Sequence, residues 1–215
     1  MLYSSKNIAK LQFITSDDSS HNHLEQIHIV LNNGVKWVQL RAKNCDEKTF
    51  LNLAEAAKKI TENFSAVIII NDHVSIAKLI GAEGVHIGKE DVAAAVARQQ
   101  LGEKIIGGTA NTLEDILYIK DHVDYIGLGP FRFTSTKKKL SPVLGLDGYT
   151  NILKQVPAHL PVIGIGGILA EDIPSLLNAG LHGIAVSGAI INDENPEKKI
   201  KQFLKAMETY VDSTI

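Results

Sequence analysis

The stretch AVIIINDHVSIAKLIGAEGVHIG (66–88) contains two short apolar runs, at 66–70 and 84–88, and a more polar segment between them. An apolar run of this length is typical of a strand that is buried on both faces. Parallel strands are joined by a crossover of about a dozen residues, usually a helix, and the segment 71–83 has that length. The stretch therefore predicts a strand, a helix and a second strand parallel to the first.

The same unit repeats along the chain. Eight runs have the strand pattern: 11–15, 37–41, 66–70, 84–88, 104–108, 124–129, 161–166 and 183–188. Helical patterns lie between or after them, among them 47–64, 92–102, 170–180 and 195–211. Strand followed by helix, eight times in 215 residues, predicts one α/β domain over 1–215, a (β/α)8 TIM barrel. An open doubly wound sheet is the alternative, but the first strand–helix turn, ITSDDSSHNH (14–23), lacks the glycine fingerprint of dinucleotide folds.

The composition narrows the class of function. With a net charge of −2, the chain has no basic excess that would indicate nucleic acid as a partner. Cys45 is the single cysteine, which excludes a disulfide framework and fits a reducing compartment. The N-terminal segment 1–15 does not resemble a signal peptide, and no run approaches the ~18 apolar residues of a membrane helix. We expect a cytoplasmic protein that binds neither nucleic acid nor membrane.

Active sites of such barrels lie at the carboxyl ends of the strands. The second strand run continues into WVQLRAKN (37–44), in which alternation places Gln39, Arg41 and Lys43 on one side. Two cations at the inner end of a strand are costly to bury unless an anion meets them. The pattern therefore predicts an anion at the mouth of the barrel.

Two carboxylates follow neighbouring strands, Asp72 after the third and Asp91 after the fourth. Mg²⁺ is usually held by one or two carboxylates together with phosphate oxygens of the substrate, and arginine and lysine bind the remaining phosphate charge. The combination predicts a diphosphate bound with Mg²⁺. The alternative is that each aspartate only caps the helix that follows it.

Other polar residues also follow strand ends. His86 lies within the fourth strand run, where a core role and a catalytic role are both open. The long loop 130–145 follows the sixth strand, and we expect it to order over the diphosphate. The further candidate site residues at strand ends and in this loop are Asn71, Thr109, Thr134, Thr136 and Lys137.

Glycines alternate with aliphatic residues in two of the strand runs. Gly127 and Gly129 do so in YIGLG, and Gly164 and Gly166 in VIGIG. If the aliphatic residues face the helices, the glycines leave the barrel interior hollow for a ligand, although tight packing is the alternative. The sequences GIGG and VSG end the last two strand runs, where barrels of this type often bind a phosphate through backbone N–H groups.

Taken together, VQLRAK, IIINDHVSIA, GAEGVHIGKEDV, YIGLGPFRFTSTK, PVIGIGGI and GIAVSGAI resemble, in order and spacing, the thiamine-phosphate synthase family. The resemblance implies an enzyme that joins hydroxymethylpyrimidine diphosphate to thiazole phosphate with Mg²⁺ and releases pyrophosphate. The residue roles that it implies are: Gln39 beside the pyrimidine; Arg41, Lys43, Asn71, Lys137, Thr109, Thr134 and Thr136 at the diphosphate; Asp72 and Asp91 at Mg²⁺; Gly167, Val186 and Ser187 at the thiazole phosphate.

The chain departs from the family pattern at a few positions. The family commonly has glutamine at Lys89, and serine and histidine where this chain has Thr109 and Asn111. A related thiazole tautomerase shares the barrel but relies on that histidine, so Asn111 favours the synthase. A sugar-phosphate epimerase, an indole-forming synthase and a non-catalytic precursor-binding paralogue are further alternatives. The expected partners are small-molecule substrates, and an exposed helical face would support a homodimer.

Overall fold

The computed structural model describes residues 8–133 and 142–212 and shows a closed barrel of eight parallel strands in chain order. The strands are β1 (Leu11–Ile14), β2 (Trp37–Leu40), β3 (Val67–Asn71), β4 (Gly84–Ile87), β5 (Ile105–Ala110), β6 (Tyr125–Leu128), β7 (Val162–Ile165) and β8 (Gly183–Val186). All eight predicted strands are confirmed. Because β1 pairs with both β2 and β8, the ring is closed and the open doubly wound sheet is excluded.

Helices alternate with the strands and form the outer layer. They are α1 (His23–Asn32), α2 (Glu47–Asn63), α3 (Val74–Leu79), α4 (Ala94–Leu101), α5 (Leu113–Ile119), α6 (Gly145–Leu153), α7 (Ile173–Asn178), α8 (Gly188–Ile191) and α9 (Pro196–Asp212). The segment 170–180, predicted as one helix, begins with a 3₁₀ turn, Ala170–Asp172, before α7. None of the helices in the described part of the chain is long and apolar enough to cross a bilayer.

Local sequence sets where several helices begin. The Asn22 side chain accepts hydrogen bonds from backbone N–H groups of α1 while the Glu25 carboxylate accepts one from the Asn22 N–H, and Thr112 and Asp115 form the same capping box on α5. Each box satisfies N–H groups that a helix start leaves without intrahelical partners. The strand-to-helix turns are thereby fixed, and with them the ends of the strands.

Two apolar layers result from the alternation of side chains. On β2, Val38 and Leu40 pack outward in the core beneath the helices, whereas Trp37 lies in the barrel interior. There Trp37 meets Tyr125 edge to face, with ring centroids 5.0 Å apart. Side chains therefore fill the interior at the amino ends of the strands. Among the described residues, room for a ligand is left at the carboxyl ends.

The predicted orientation of the glycines is confirmed on β6 and wrong on β7. A Cβ on Gly127 would lie 3.0 Å from the inward-facing ring of His86. A Cβ on Gly164 would instead meet Leu181 at 2.6 Å in the outer core, and Ile163 fills the interior. The isoleucines of β7 point inward, so β7 does not leave the interior hollow.

An Arg–Asp pair closes the opposite end of the barrel. Asp124 directly precedes β6, is almost fully buried, and accepts hydrogen bonds from Arg98 Nη2 at 2.6 Å and from the Ile106 N–H at 2.8 Å. Arg98 also donates to the carbonyls of Gly102 and Lys104. This pair joins α4 to β5 and β6 at the end of the barrel remote from the ligand cavity.

Candidate active site

A cavity of about 1060 Å³ opens at the carboxyl ends of the strands. It is the place where the fold predicts an active site. Seven of the predicted site residues line it: Arg41, Lys43, Asp91, Thr109, Gly167, Val186 and Ser187.

The cations after β2 are held by the loop after β1. Thr15 Oγ1 donates to the Arg41 carbonyl at 3.1 Å and accepts from the Arg41 N–H at 2.9 Å. Asp17 accepts from the Lys43 N–H at 3.0 Å. The backbone is thus fixed while the Lys43 side chain, 51% exposed, extends to Asp72 Oδ2 at 2.9 Å. β2 ends at Leu40, so Arg41 and Lys43 follow the strand end at the rim, as predicted.

The two aspartates form a close carboxylate pair. Asp72 has a left-handed backbone with φ of +64°, a conformation that is uncommon for residues other than glycine. Burial raises the pKa of Asp91, and the neighbouring Asp72 carboxylate raises it further. Burial also opposes ionisation of Asp72, but hydrogen bonds with Asp91 and Lys43 outweigh it and lower the pKa of Asp72. Two carboxylates in contact repel each other unless a proton or a cation lies between them.

This donor set fits Mg²⁺. The ion prefers oxygen ligands and is commonly held by one or two carboxylates plus substrate phosphate. Asp91 Oδ2 is fixed by the Gly88 N–H at 2.8 Å, and a Cβ on Gly88 would lie 2.6 Å from that oxygen. Glycine at this position therefore lets the carboxylate turn back against the strand end. No group of three or more acidic, histidine or cysteine ligands occurs among the described residues, so an ion here would need substrate oxygens.

Backbone groups line the opposite wall. In a ring of eight strands β3 and β7 face each other, so the turn after β7 lies across the cavity from the aspartates. Gly166 and Gly167 form this turn with φ of +95° and +68°, and both line the cavity with Ser187 and the start of α8. This arrangement of glycine turn and helix start is suited to a phosphate group.

The other predicted site residues lie elsewhere. Gln39 is buried below the cavity and donates to Gln12 Oε1 at 3.3 Å. Asn71 ends β3 and is buried, and neither it nor Asp72 is among the residues that line the cavity, although Asp72 contacts Lys43 and Asp91, which do. Thr134, Thr136 and Lys137, with most of the loop expected to order over the diphosphate, lie outside the described residues.

Polar contacts between strands add residues that the sequence did not assign. His86 Nε2 lies 2.9 Å from Thr109 Oγ1 and its Nδ1 lies 3.1 Å from the Tyr125 hydroxyl. Gln12 Nε2 donates to the same hydroxyl at 3.2 Å, and Gln12 Oε1 accepts from Gln39, which completes a chain of polar side chains beneath the cavity. The alternating pattern of each strand predicts inward positions, but pairs formed between strands carry no sequence signal.

Two departures from the family pattern also have structural partners. Lys89 Nζ is 2.8 Å from Asp115 at the start of α5, so its charge is balanced away from the aspartate pair. Asn111 Nδ2 donates to the Gly129 carbonyl. Asn111 thus links the end of β5 to the end of β6. Its amide does not ionise near neutral pH, so it cannot act as an acid or a base as a histidine would.

Comparison with known proteins agrees with the geometry of the cavity. Residues 11–190 match the family model of thiamine monophosphate synthase. A thiamine-phosphate synthase of Bacteroides fragilis is 47% identical over 199 residues, which cover 90% of this chain and 98% of the relative. A thiamine-phosphate synthase of Flavobacterium johnsoniae is 50% identical over 196 residues, covering 89% and 92%. Among solved structures, thiamine phosphate pyrophosphorylase from Pyrococcus furiosus superposes with a TM-score of 0.84 at 29% identity and covers 94% of this chain and 96% of its own.

Proposed function

Since this chain belongs to the thiamine monophosphate synthase family, we propose that its barrel cavity joins hydroxymethylpyrimidine diphosphate to thiazole phosphate. The enzyme is a transferase of thiamine biosynthesis, a thiamine-phosphate synthase like its curated relatives. The residue roles, the metal ion and the cellular setting that follow are our proposals.

The observation that supports the residue roles best is the separation of two kinds of anion site across one cavity. Arg41, Lys43 and the aspartate pair lie on the side of β2 to β4, and the glycine turn with Ser187 lies on the side of β7 and β8. The first side fits a diphosphate with Mg²⁺ and the second a phosphate monoester. Two phosphorylated substrates would thus meet with their reacting ends between the two sites.

The chemistry needs charge stabilisation and positioning more than covalent catalysis. The C–O bond between the pyrimidine methylene and the diphosphate breaks, and its electron pair leaves with pyrophosphate. The thiazole nitrogen then donates its lone pair to the methylene carbon and forms the new C–N bond. When bound, Mg²⁺ would neutralise part of the charge on the departing pyrophosphate.

The side chains around the cavity would each contribute to these steps. Arg41, Lys43 and, from outside the described residues, Lys137 would bind the diphosphate charge, and Asp72 and Asp91 would hold the ion. Hydroxyls and amides would orient the diphosphate and the pyrimidine, and backbone groups the thiazole phosphate; these residues are Gln39, Asn71, Thr109, Thr134, Thr136, Gly167, Val186 and Ser187. Gln39 would act through the polar chain beneath the cavity, because it lies below the lining.

The setting follows from the same features. We propose that residues 1–215 act as one catalytic domain in the cytoplasm, where the free Cys45 would stay reduced. The homodimer expected from the exposed helical face stays a prediction.

The decisive test is an assay that follows both products. Purified protein is mixed with hydroxymethylpyrimidine diphosphate and thiazole phosphate, with Mg²⁺ or with EDTA. We expect thiamine phosphate and pyrophosphate in equal amounts, and only with the metal. Absence of product, with both substrates still bound, would instead favour the non-catalytic paralogue. Product at the same rate in EDTA would remove the metal from the proposal.

A further inference from the structure

Arg132 lies just after β6, and its guanidinium contacts the loop that follows β7. Nη2 donates to Asp172 Oδ1 at 2.6 Å, and Nη1 donates both to Asp172 Oδ2 and, at 3.0 Å, to the Gly167 carbonyl. A bidentate Arg–carboxylate pair is among the stronger and more directional side-chain contacts. The contact therefore links two loops at the wall of the cavity that we assign to the phosphate monoester.

Backbone contacts reinforce the same link. The Arg132 N–H donates to the Gly166 carbonyl at 2.9 Å. A Cβ on Gly167 would lie 2.8 Å from Arg132 Cβ, and one on Gly166 would lie 2.7 Å from Pro130 Cβ. The glycines are thus needed both for positive φ and for the close approach of the Arg132 segment.

The contact with Gly167 also sets the direction of a peptide group. In a trans peptide the C=O and the following N–H point in opposite directions. Because the Gly167 carbonyl points at Arg132, the Ile168 N–H points away from it. Both residues line the cavity, and within the described chain no hydrogen bond uses the Gly167 or Ile168 N–H. These two N–H groups are available to a ligand only while the Gly166–Gly167 and Gly167–Ile168 peptide groups keep this orientation.

Asp172 is the anchor of the arrangement. It lies in the 3₁₀ turn before α7, is 8% exposed, and accepts a further hydrogen bond from the Leu169 N–H at 2.8 Å. Burial raises the pKa of its carboxyl, but the hydrogen bonds from Arg132 and Leu169 outweigh burial and the net shift is downward. Asp172 is therefore ionised at neutral pH and holds Arg132 in place.

We propose that Arg132 is a positioning residue for the phosphate-binding turn: held by Asp172, it fixes the Gly166–Ile168 backbone so that its N–H groups face the phosphate of the thiazole substrate. This role rests on the function proposed above. The guanidinium itself stays on Asp172 and the Gly167 carbonyl and does not bind the phosphate.

Three variants separate positioning from direct binding. Arg132→Ala and Arg132→Lys remove the bidentate contact, and Asp172→Asn weakens it while leaving Arg132 in place. If Arg132 positions the turn, all three raise KM for thiazole phosphate, by ~10-fold or more in Arg132→Ala, as displacement of a binding group by about 1 Å can do. Arg132→Lys should lie between Arg132→Ala and the unchanged protein. The KM for the pyrimidine diphosphate should change less than about 2-fold, because that substrate binds on the other wall.

The matched control is Arg98→Lys at the other end of the barrel. It also disturbs an Arg–Asp pair whose arginine donates to backbone carbonyls, but far from the cavity. We expect Arg98→Lys to lower Tm and to leave both KM values unchanged. Circular dichroism of every variant checks that the barrel has folded.

The outcomes are distinct. Failure of the unchanged protein to form thiamine phosphate would overturn the proposed function, whatever the variants do. If the unchanged protein is active, an unchanged KM for thiazole phosphate in Arg132→Ala would overturn the positioning role alone. Weaker binding in Arg132→Ala together with tighter or unchanged binding in Asp172→Asn would also overturn it, because that result is expected when the guanidinium binds the phosphate directly.

Discussion

Lys43 illustrates how the charges at the mouth of the barrel depend on one another. Its side-chain ammonium pairs with Asp72 at 2.9 Å, while its backbone N–H donates to the Asp17 carboxylate at 3.0 Å. The lysine thereby balances part of the negative charge of the aspartate pair. If a divalent ion is bound, Asp72 and Asp91 would hold it, and the ammonium of Lys43 could then bind the diphosphate. Cations and carboxylates are therefore expected to matter equally for turnover.

The first prediction tests this at single residues. Arg41→Ala and Asp91→Ala should each lower kcat/KM by ~100-fold or more, because each removes preorganised charge from the departing pyrophosphate. The measurement is steady-state formation of thiamine phosphate at saturating Mg²⁺. Lys58→Gln, which removes an ion pair with Glu83 before the start of β4, serves as the control and should keep the normal rate. Near-normal rates in both site variants would show that the diphosphate binds elsewhere.

Residue positions were predictable from the sequence where a strand end alone defines them. Arg41 and Asp91 are of this kind, because a recognised strand places the next residues at the rim. The contacts of Arg132 with Asp172 and of Lys89 with Asp115 join residues 40 and 26 positions apart, and no local pattern signals them. The predicted orientation of Gly164 was wrong for a related reason. A glycine has no side chain that indicates which face of the strand it lies on, and its isoleucine neighbours suit the interior and the outer core equally.

At the scale of elements, the start of α5 links a helix cap to the rim of the cavity. Asp115 accepts from the N–H groups of Asn111 at 2.8 Å and Thr112 at 3.1 Å, and Lys89 reaches it from the loop after β4. Burial raises the pKa of Asp115, but Lys89 and the backbone donors outweigh burial and lower it. The spacing of Thr112 and Asp115 is a local sequence pattern typical of a capping box. The contact of Lys89 with Asp115 has no local pattern, because it depends on how β4 and β5 pair.

The second prediction concerns the pH dependence of stability. A carboxyl whose pKa is lower in the folded state stabilises the protein at pH values above its unfolded pKa of about 3.9, and this contribution is lost as pH falls through the folded pKa. Asp115→Asn should therefore lower the free energy of unfolding at pH 7, by about 1 kcal/mol, and the difference should shrink towards pH 3. Denaturant unfolding at pH 7, 5 and 3.5 measures it.

The control for this prediction is Asp121→Asn, just beyond α5, where the carboxylate is 74% exposed. It removes the same charge without removing a cap, so its cost at pH 7 should be close to zero. A loss in Asp115→Asn that stays constant from pH 7 to pH 3.5 would contradict the assignment of the stabilisation to the ionised carboxylate.

At the scale of the whole molecule, closure of the barrel brings together parts of the chain that are far apart in sequence. The cavity takes its cations from the segment after β2, one carboxylate from the segment after β4, and its backbone donors from the segments after β7 and β8. These walls exist together only while β1 pairs with β8. A ligand that binds one wall of the cavity therefore binds the folded barrel and not the unfolded chain, and its affinity adds to global stability.

The last prediction uses this linkage to test the metal and the anion together. The complex of pyrophosphate with Mg²⁺, at about 100 times its dissociation constant, should stabilise the protein by ~2.7 kcal/mol. For a chain of this length that corresponds to a rise in Tm of about 5–10 °C. Pyrophosphate with EDTA, or Mg²⁺ alone, should give much smaller shifts, because the anion then faces the aspartate pair without a cation between them. Asp91→Asn should lose most of the combined shift and Lys58→Gln should keep it. An equal shift in Asp91→Asn would mean that the ion is not held by the aspartate pair, even if the enzyme is active.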